Sequence, residues 1–142
     1  MILLDAYPLV ALLAAERAAD EVEELLRSGG TAIPAVNLGE AIDVVQRVHG
    51  VASEDVHRTL APLIGAPLVV LPQGEPDAWR ASEIRLRHYN RATAPLSLAD
   101  CFLIAAAGSG DEIATSDPPL AAAARKEGFV VIALPNSTGR RP

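Results

Sequence analysis

The sequence predicts an α/β fold, a mostly parallel central sheet with helices on both faces. Three observations predict it. Short strand-like apolar runs alternate with longer amphipathic stretches, the order that builds right-handed helical crossovers between parallel strands. Val69-Val70 and Val130-Val131-Ile132 are continuously β-branched, as expected where both sheet faces are covered. Gly29-Gly30, Gly50, Gly65 and Gly128 stand where amphipathic stretches end, the usual place of a helix stop.

In chain order, the first strand is 2–4, the apolar run Ile2-Leu3-Leu4 that closes on Asp5. A helix over 8–16 follows. Its apolar stretch Pro8 to Ala15 is far shorter than the ~20 residues of a membrane span. It also lacks the basic segment that precedes a signal-peptide core, since Asp5 stands there. It is read as a buried helix, and no targeting or transmembrane segment is expected. The helix over 18–28 carries Asp20, Glu21, Glu23 and Glu24 on a solvent face and stops at Gly29-Gly30. Strand 31–33 leads to a helix over 36–50, in which Asn37 and Glu40 have the spacing of a capping box. A helix over 53–64, strand 68–71 and a helix over 76–91 come next. Ser97 and Asp100 repeat the capping-box spacing ahead of a helix over 98–108. Strand 112–116 closes on Asp117, an N-cap candidate with Pro118 in the first helical position. A helix over 118–127 and strand 129–134 complete the pattern.

The 142 residues amount to one domain, spanning 1–135, with a polar tail over 136–142 that is expected to fray. Half the residues are hydrophobic but only 4% are aromatic, so Ala, Val, Leu and Ile must build the core. The single cysteine, Cys101, excludes an internal disulfide and suits a reducing, cytoplasmic setting. A net charge of −6 argues against generic electrostatic binding of nucleic acid. It leaves room for a local basic patch, and Arg80, Arg85, Arg87, His88 and Arg91 supply one over a short stretch. A solvated helix face explains the same run equally well.

The acids Asp5, Glu40, Asp100 and Asp117 carry the functional information, because each stands at the mouth of a predicted helix. Alone, each reads as a cap. Together they converge if the first and fourth strands are neighbours, since ligands bind beyond the carboxyl ends of such a sheet, at the switch in winding direction. Helix dipoles would ease that clustering by ~0.3–1 kcal/mol each. That is small beside the mutual repulsion of carboxylates, so a divalent cation is called for. Oxygen donors select Mg²⁺ or Mn²⁺. His49, His57 and His88 share no metal-ligand spacing.

Four segments bear a family resemblance: Leu3-Leu4-Asp5-Ala6, Ala35-Val36-Asn37-Leu38-Gly39-Glu40, Leu96-Ser97-Leu98-Ala99-Asp100-Cys101-Phe102-Leu103-Ile104-Ala105 and Ala114-Thr115-Ser116-Asp117. In order and spacing they resemble the successive motifs of PIN domains, in particular the VapC-type toxins of bacterial toxin–antitoxin pairs. The resemblance implies a three-layer α/β/α sandwich and Mg²⁺- or Mn²⁺-dependent endoribonuclease activity. By position, Asp5, Glu40 and Asp100 correspond to the core acidic ligands and Asp117 to a more variable fourth acid. Ser116 and Asn37 match supporting polar residues. Pro118-Pro119 departs from the polar and aromatic residues more usual in the family after that acid. RNA would pass the arginine helix, with Arg80, Arg85, Arg87 or Arg91 on phosphates. The implied partners are a neutralising antitoxin and a second copy of the chain, with dimer surfaces sought within 8–28 or 36–64.

Two other phosphoryl-transfer classes fit poorly. A haloacid-dehalogenase-type phosphatase needs an aspartate two residues after the first, where Tyr7 stands, and a hydroxyl soon after, where Leu9 stands. A receiver-type domain needs a lysine near the end of its last strand, whereas Lys126 precedes that strand. The remaining alternative is a PIN-like binding module without turnover, held by an antitoxin.

Overall fold

The computed structural model describes residues 1–142. In chain order its elements are β1 (Ile2–Leu4), α1 (Ala6–Leu13), α2 (Ala19–Ser28), β2 (Thr31–Pro34), α3 (Ala35–Arg47) and α4 (Ser53–Leu60). They continue with β3 (Leu68–Leu71), α5 (Glu75–His88), α6 (Leu98–Ala106), β4 (Glu112–Thr115), α7 (Pro118–Lys126) and β5 (Val130–Ala133). Every predicted strand and helix is present, with ends displaced by a few residues.

The five strands are all parallel, in the order β3-β2-β1-β4-β5. From β1 at the centre the chain winds outward through β2 and β3, then returns and winds the other way through β4 and β5. The reversal falls between β1 and β4, which pair directly, Leu3 beside Ile113 and Leu4 beside Ala114. A crevice at the carboxyl edge of such a reversal is where open α/β sheets hold ligands.

Strand periodicity produces the layers. Successive side chains point to opposite faces, so Leu3 and Ile113 enter a core with Ile84, Leu103 and Leu120 of α5, α6 and α7. Leu4 and Ala114 enter the other, with Leu9, Val22, Val45 and Val56 of α1 to α4. The result is the three-layer α/β/α sandwich. The largest fully buried side chains are all leucine or isoleucine, as the scarcity of aromatics requires. Cys101 is fully buried. Trp79, 68% exposed, is no core residue. No helix is long and apolar enough to cross a membrane.

The tail departs from the expected fraying. Asn136 Oδ1 accepts from the amides of Thr138 and Arg140 in a closed turn. Arg141 then reaches Glu21 on α2 through two hydrogen bonds of 2.6 and 3.0 Å. Polar composition predicts solvation, but the pairing depends on where α2 lies, which composition does not encode.

Candidate active site at the carboxyl edge of the sheet

β1 ends at Leu4, and Asp5 turns the chain into α1 as its N-cap. Its Oδ1 accepts from the Ala6 amide at 2.7 Å and its Oδ2 from the Thr115 hydroxyl at 2.9 Å. Thr115, the last residue of β4, is fully buried, and its Oγ1 also accepts from the Asp117 amide at 3.0 Å. One hydroxyl therefore ties the ends of the two strands that flank the reversal. Asp117 caps α7 by accepting from the Leu120 amide at 2.9 Å. Asp100 closes the expected capping box on α6, its Oδ2 accepting from the Ser97 amide at 2.6 Å while Ser97 Oγ accepts from the Asp100 amide at 3.0 Å. Capping and clustering turn out to be compatible. A cap fixes where the carboxylate stands, and the topology fixes which caps meet.

Asp5, Glu40 and Asp100 line one groove of about 200 Å³ together with Ala6, Tyr7, Val10 and Val44. Asp5 is only 5% exposed. Burial, then the charges of Asp100 and Glu40, push its carboxyl up to about 7 against the opposing hydrogen bonds from Thr115 and Ala6. Glu40 is raised by partial burial and by Asp100 and Asp43, and Asp100 by burial and by Asp117 against its Ser97 bonds. Like charges in a poorly solvated site produce this pattern. The charge of Asp117 raises the proton affinity of Asp100, but Asp117 does not line the groove.

No three His, Cys, Asp or Glu side chains are already gathered into a chelating group. Asp5, Glu40 and Asp100 line the same groove, Asp5 and Asp100 each with one oxygen tied to a backbone amide. The donor chemistry fits a hard divalent cation, since the groove offers carboxylate oxygens and neither imidazole nor thiol. The nearby Cys101 thiol is buried in the core, with its pKa pushed up to about 11, which disfavours the thiolate a soft metal needs.

Asn37 is a correction to the predicted capping box. β2 runs into α3 without a loop, so the helix starts at Ala35 with Pro34 in the cap position and no side-chain cap bond. Asn37 lies inside the first turn, fully buried, and both of its amide atoms lack a protein partner. A buried amide in that state, one turn before Glu40, suits a site completed by something outside the chain. Ser116 is buried between Thr115 and Asp117.

The arginines are not equivalent. Arg80 donates to the Ala105 carbonyl at 3.0 Å, tying α5 to α6. Arg87 makes a two-pronged pair with Glu127 at 3.1 and 3.0 Å, and His88 also meets that carboxylate at 2.5 Å. The Arg85 guanidinium stacks over Tyr89, 4.5 Å from the ring centroid, and Arg91 is exposed. Arg87→Ala should therefore cost about 0–1 kcal/mol of stability. A urea melt would read it, and a loss of several kcal/mol would contradict the assignment.

Two residues that brace the site carry little sequence signal. Thr115 reads as one more residue of an apolar strand. Its only signal is a hydroxyl at the end of a buried run, two residues before an acid. Gln73, after β3, accepts from the Val36 amide at 3.3 Å and donates to the Phe102 carbonyl at 3.1 Å, bracing α3 against α6. Thr115→Val keeps the shape but leaves Asp5 Oδ2 and the Asp117 amide short of a partner. It should destabilise the fold by about 1–3 kcal/mol, measured by denaturation, and no loss would mean the bridge is dispensable.

Comparison with known proteins agrees with this fold. The PIN domain family profile matches residues 2–132. Among solved structures, the chain is similar to the Mycobacterium tuberculosis toxin VapC20, described as cleaving the sarcin-ricin loop. The TM-score is 0.71 at 20% identity, over 92% of this chain and 97% of that one. It is also similar to FitAcB from Neisseria gonorrhoeae, with a TM-score of 0.63 at 23% identity over 93% and 96% of the two chains. A toxin–antitoxin complex from Klebsiella pneumoniae gives 0.60 at 20% identity over 82% and 87%. At these identities the likeness is one of fold. No curated protein matches the chain in sequence.

Proposed function

Since the chain belongs to the PIN domain family, we propose that it is an endoribonuclease dependent on Mg²⁺ or Mn²⁺, acting as the toxin of a toxin–antitoxin pair. The observation that carries this reading is the groove that Asp5, Glu40 and Asp100 line with raised proton affinity. A fold maintains such repulsion at a cost in stability, and a bound cation with a phosphodiester supplies the reason. Two structural neighbours, a toxin that cleaves the sarcin-ricin loop and a toxin–antitoxin complex, support the same reading.

Asp5, Glu40 and Asp100 would hold the cation, with Asp117 orienting the attacking water or supporting a second ion. The chemistry such a cation would supply there is activation of water and neutralisation of charge on the phosphate and its leaving oxygen. The protein's own contribution is positional. The Thr115 hydroxyl and the Ala6 amide fix both oxygens of Asp5, and the capping box fixes Asp100. The burial of Asp5 keeps bulk water from screening its charge. A basic side chain from an antitoxin would pair with the same acids and so compete with metal and RNA. We place the protein in the cytoplasm as a homodimer. A monomeric hydrodynamic mass across micromolar concentrations would remove the dimer.

The direct test is Asp100→Asn. The asparagine oxygen can still accept from the Ser97 amide, so the variant should fold. Wild type should cleave single-stranded RNA with Mn²⁺ and stop on chelation. The variant should lose activity on the order of 100-fold or more. Undiminished cleavage would trace the activity to another centre or a contaminant.

A further inference from the structure

The acidic groove has an apolar flank that the catalytic proposal leaves unused. α1 contributes Tyr7 and Val10, three residues apart and so on one helix face. α3 contributes Glu40 and Val44, four apart, by the same rule. Along α3 the groove lining passes within one turn from a carboxylate to an aliphatic side chain, and along α1 it passes from Asp5 to Tyr7 and Val10. A helical turn rises ~5.4 Å, comparable to the separation between a phosphate and its own nucleoside ring.

Tyr7 is the aromatic member of that flank, and it is held in place. Its hydroxyl donates to Glu16 Oε2 at 2.7 Å, while the other oxygen of Glu16 lies 3.7 Å from His49 Nε2. Glu16 is itself placed by its amide on the Ala11 carbonyl at 2.8 Å and follows Ala15, a non-glycine residue at φ 53°. A left-handed alanine has a steric cost, and here it brings Glu16 back over the far end of the tyrosine. The neighbours Pro8, Leu9 and Ala11 are buried in the core, whereas Tyr7 stays partly open on the groove. Its ring is thus fixed from behind and presented beside the carboxylates.

We propose that Tyr7, backed by Val10 and Val44, is a positioning residue that packs against the nucleoside adjoining the scissile phosphate and so sets where the RNA lies across the acids. This rests on the nuclease reading above. Aromatic rings hold single-stranded bases by stacking, with little dependence on sequence. A flank carrying one carboxylate-anchored tyrosine and two valines suits a base or ribose better than a second phosphate, which would need a cation.

The test uses the full chain with Mn²⁺ and a single-stranded RNA oligonucleotide of mixed sequence whose cleavage position is mapped first. A second oligonucleotide lacks the bases on either side of that bond. Tyr7→Ala should lower kcat/KM on the intact RNA by about 10- to 100-fold, the range base stacking supports. Tyr7→Phe, which keeps the ring and loses the Glu16 bond, should stay within about fivefold of wild type. On the abasic RNA, wild type and Tyr7→Ala should converge, and the Mn²⁺-induced rise in melting temperature should be the same for both proteins. Equal losses for Tyr7→Ala on intact and abasic RNA would reduce the residue to a structural role and overturn the inference. Unchanged cleavage of intact RNA would overturn it too. Absence of cleavage by wild type would overturn the nuclease reading and this inference with it.

Discussion

Asp5→Asn is expected to abolish metal-dependent RNA cleavage and the thermal response to Mn²⁺ while leaving a folded protein. Asp5 is the most buried of the acids, and both of its oxygens are engaged, by the Ala6 amide and the Thr115 hydroxyl. Asparagine fills the same volume and retains one acceptor oxygen, so the turn into α1 should survive. What it loses is the charge that a divalent cation needs. For wild type, Mn²⁺ at about 100 times its dissociation constant should stabilise by about 2.7 kcal/mol. For a chain of this length that raises the melting point by about 5–10 °C. The variant should show little of this rise, and its cleavage should fall on the order of 100-fold or more. Without metal near pH 7.5 it should melt at or above the wild-type temperature, because a buried charge repelled by Asp100 and Glu40 has been removed. A Mn²⁺ response equal to wild type would take Asp5 out of the site.

The metal-free protein should lose stability as pH rises from about 4 to about 7, the reverse of ordinary acid denaturation. The sign follows from proton linkage. Asp5 has a carboxyl near 3.8 when unfolded and near 7 in the fold, so within that window the folded state binds the extra proton. Its contribution is fully present below the unfolded value and lost as pH climbs through the folded one. A shift of about three units corresponds to about 4 kcal/mol. Glu40 and Asp100 are raised as well and act in the same direction. Asp111, lowered by its bond to the N-terminal ammonium, and Glu127, lowered by His88 and Arg87 against its partial burial, act oppositely at the acid end. Urea melts in chelator at pH 5, 6, 7 and 8 should show a net fall of a few kcal/mol, and saturating Mn²⁺ should flatten it. Stability that rises from pH 5 to 8 without metal would show that the acids are neither buried nor close enough to repel.

Much of the architecture was readable because its signals are local. Ile2-Leu3-Leu4, Val69-Val70 and Val130-Val131-Ile132 marked strands, and glycines marked the helix ends near Gly29 and Gly128. Ser97 and Asp117 were correctly seen as caps because capping spans only a few residues. Asn37 failed by the same logic. Its spacing to Glu40 is right, but β2 passes straight into α3, and a missing loop leaves no trace in the spacing. The arginine run gave charge without assignment. Glu127, which lies 40 residues from Arg87, decides that Arg87 is already paired.

The order of elements was legible in sequence alone, as were the caps Asp5, Ser97 and Asp117, through periodicity, propensity and capping, each acting within a turn or two of chain. Tertiary structure decided that β4 returns to lie beside β1, and with it that Thr115 bonds Asp5 across 110 positions. It likewise decided that Tyr7, packed against one core, also forms a wall of the acidic groove. Such contacts join groups remote along the chain. Their geometry is fixed by strand order and register, which emerge only when the whole hydrophobic surface is buried at once.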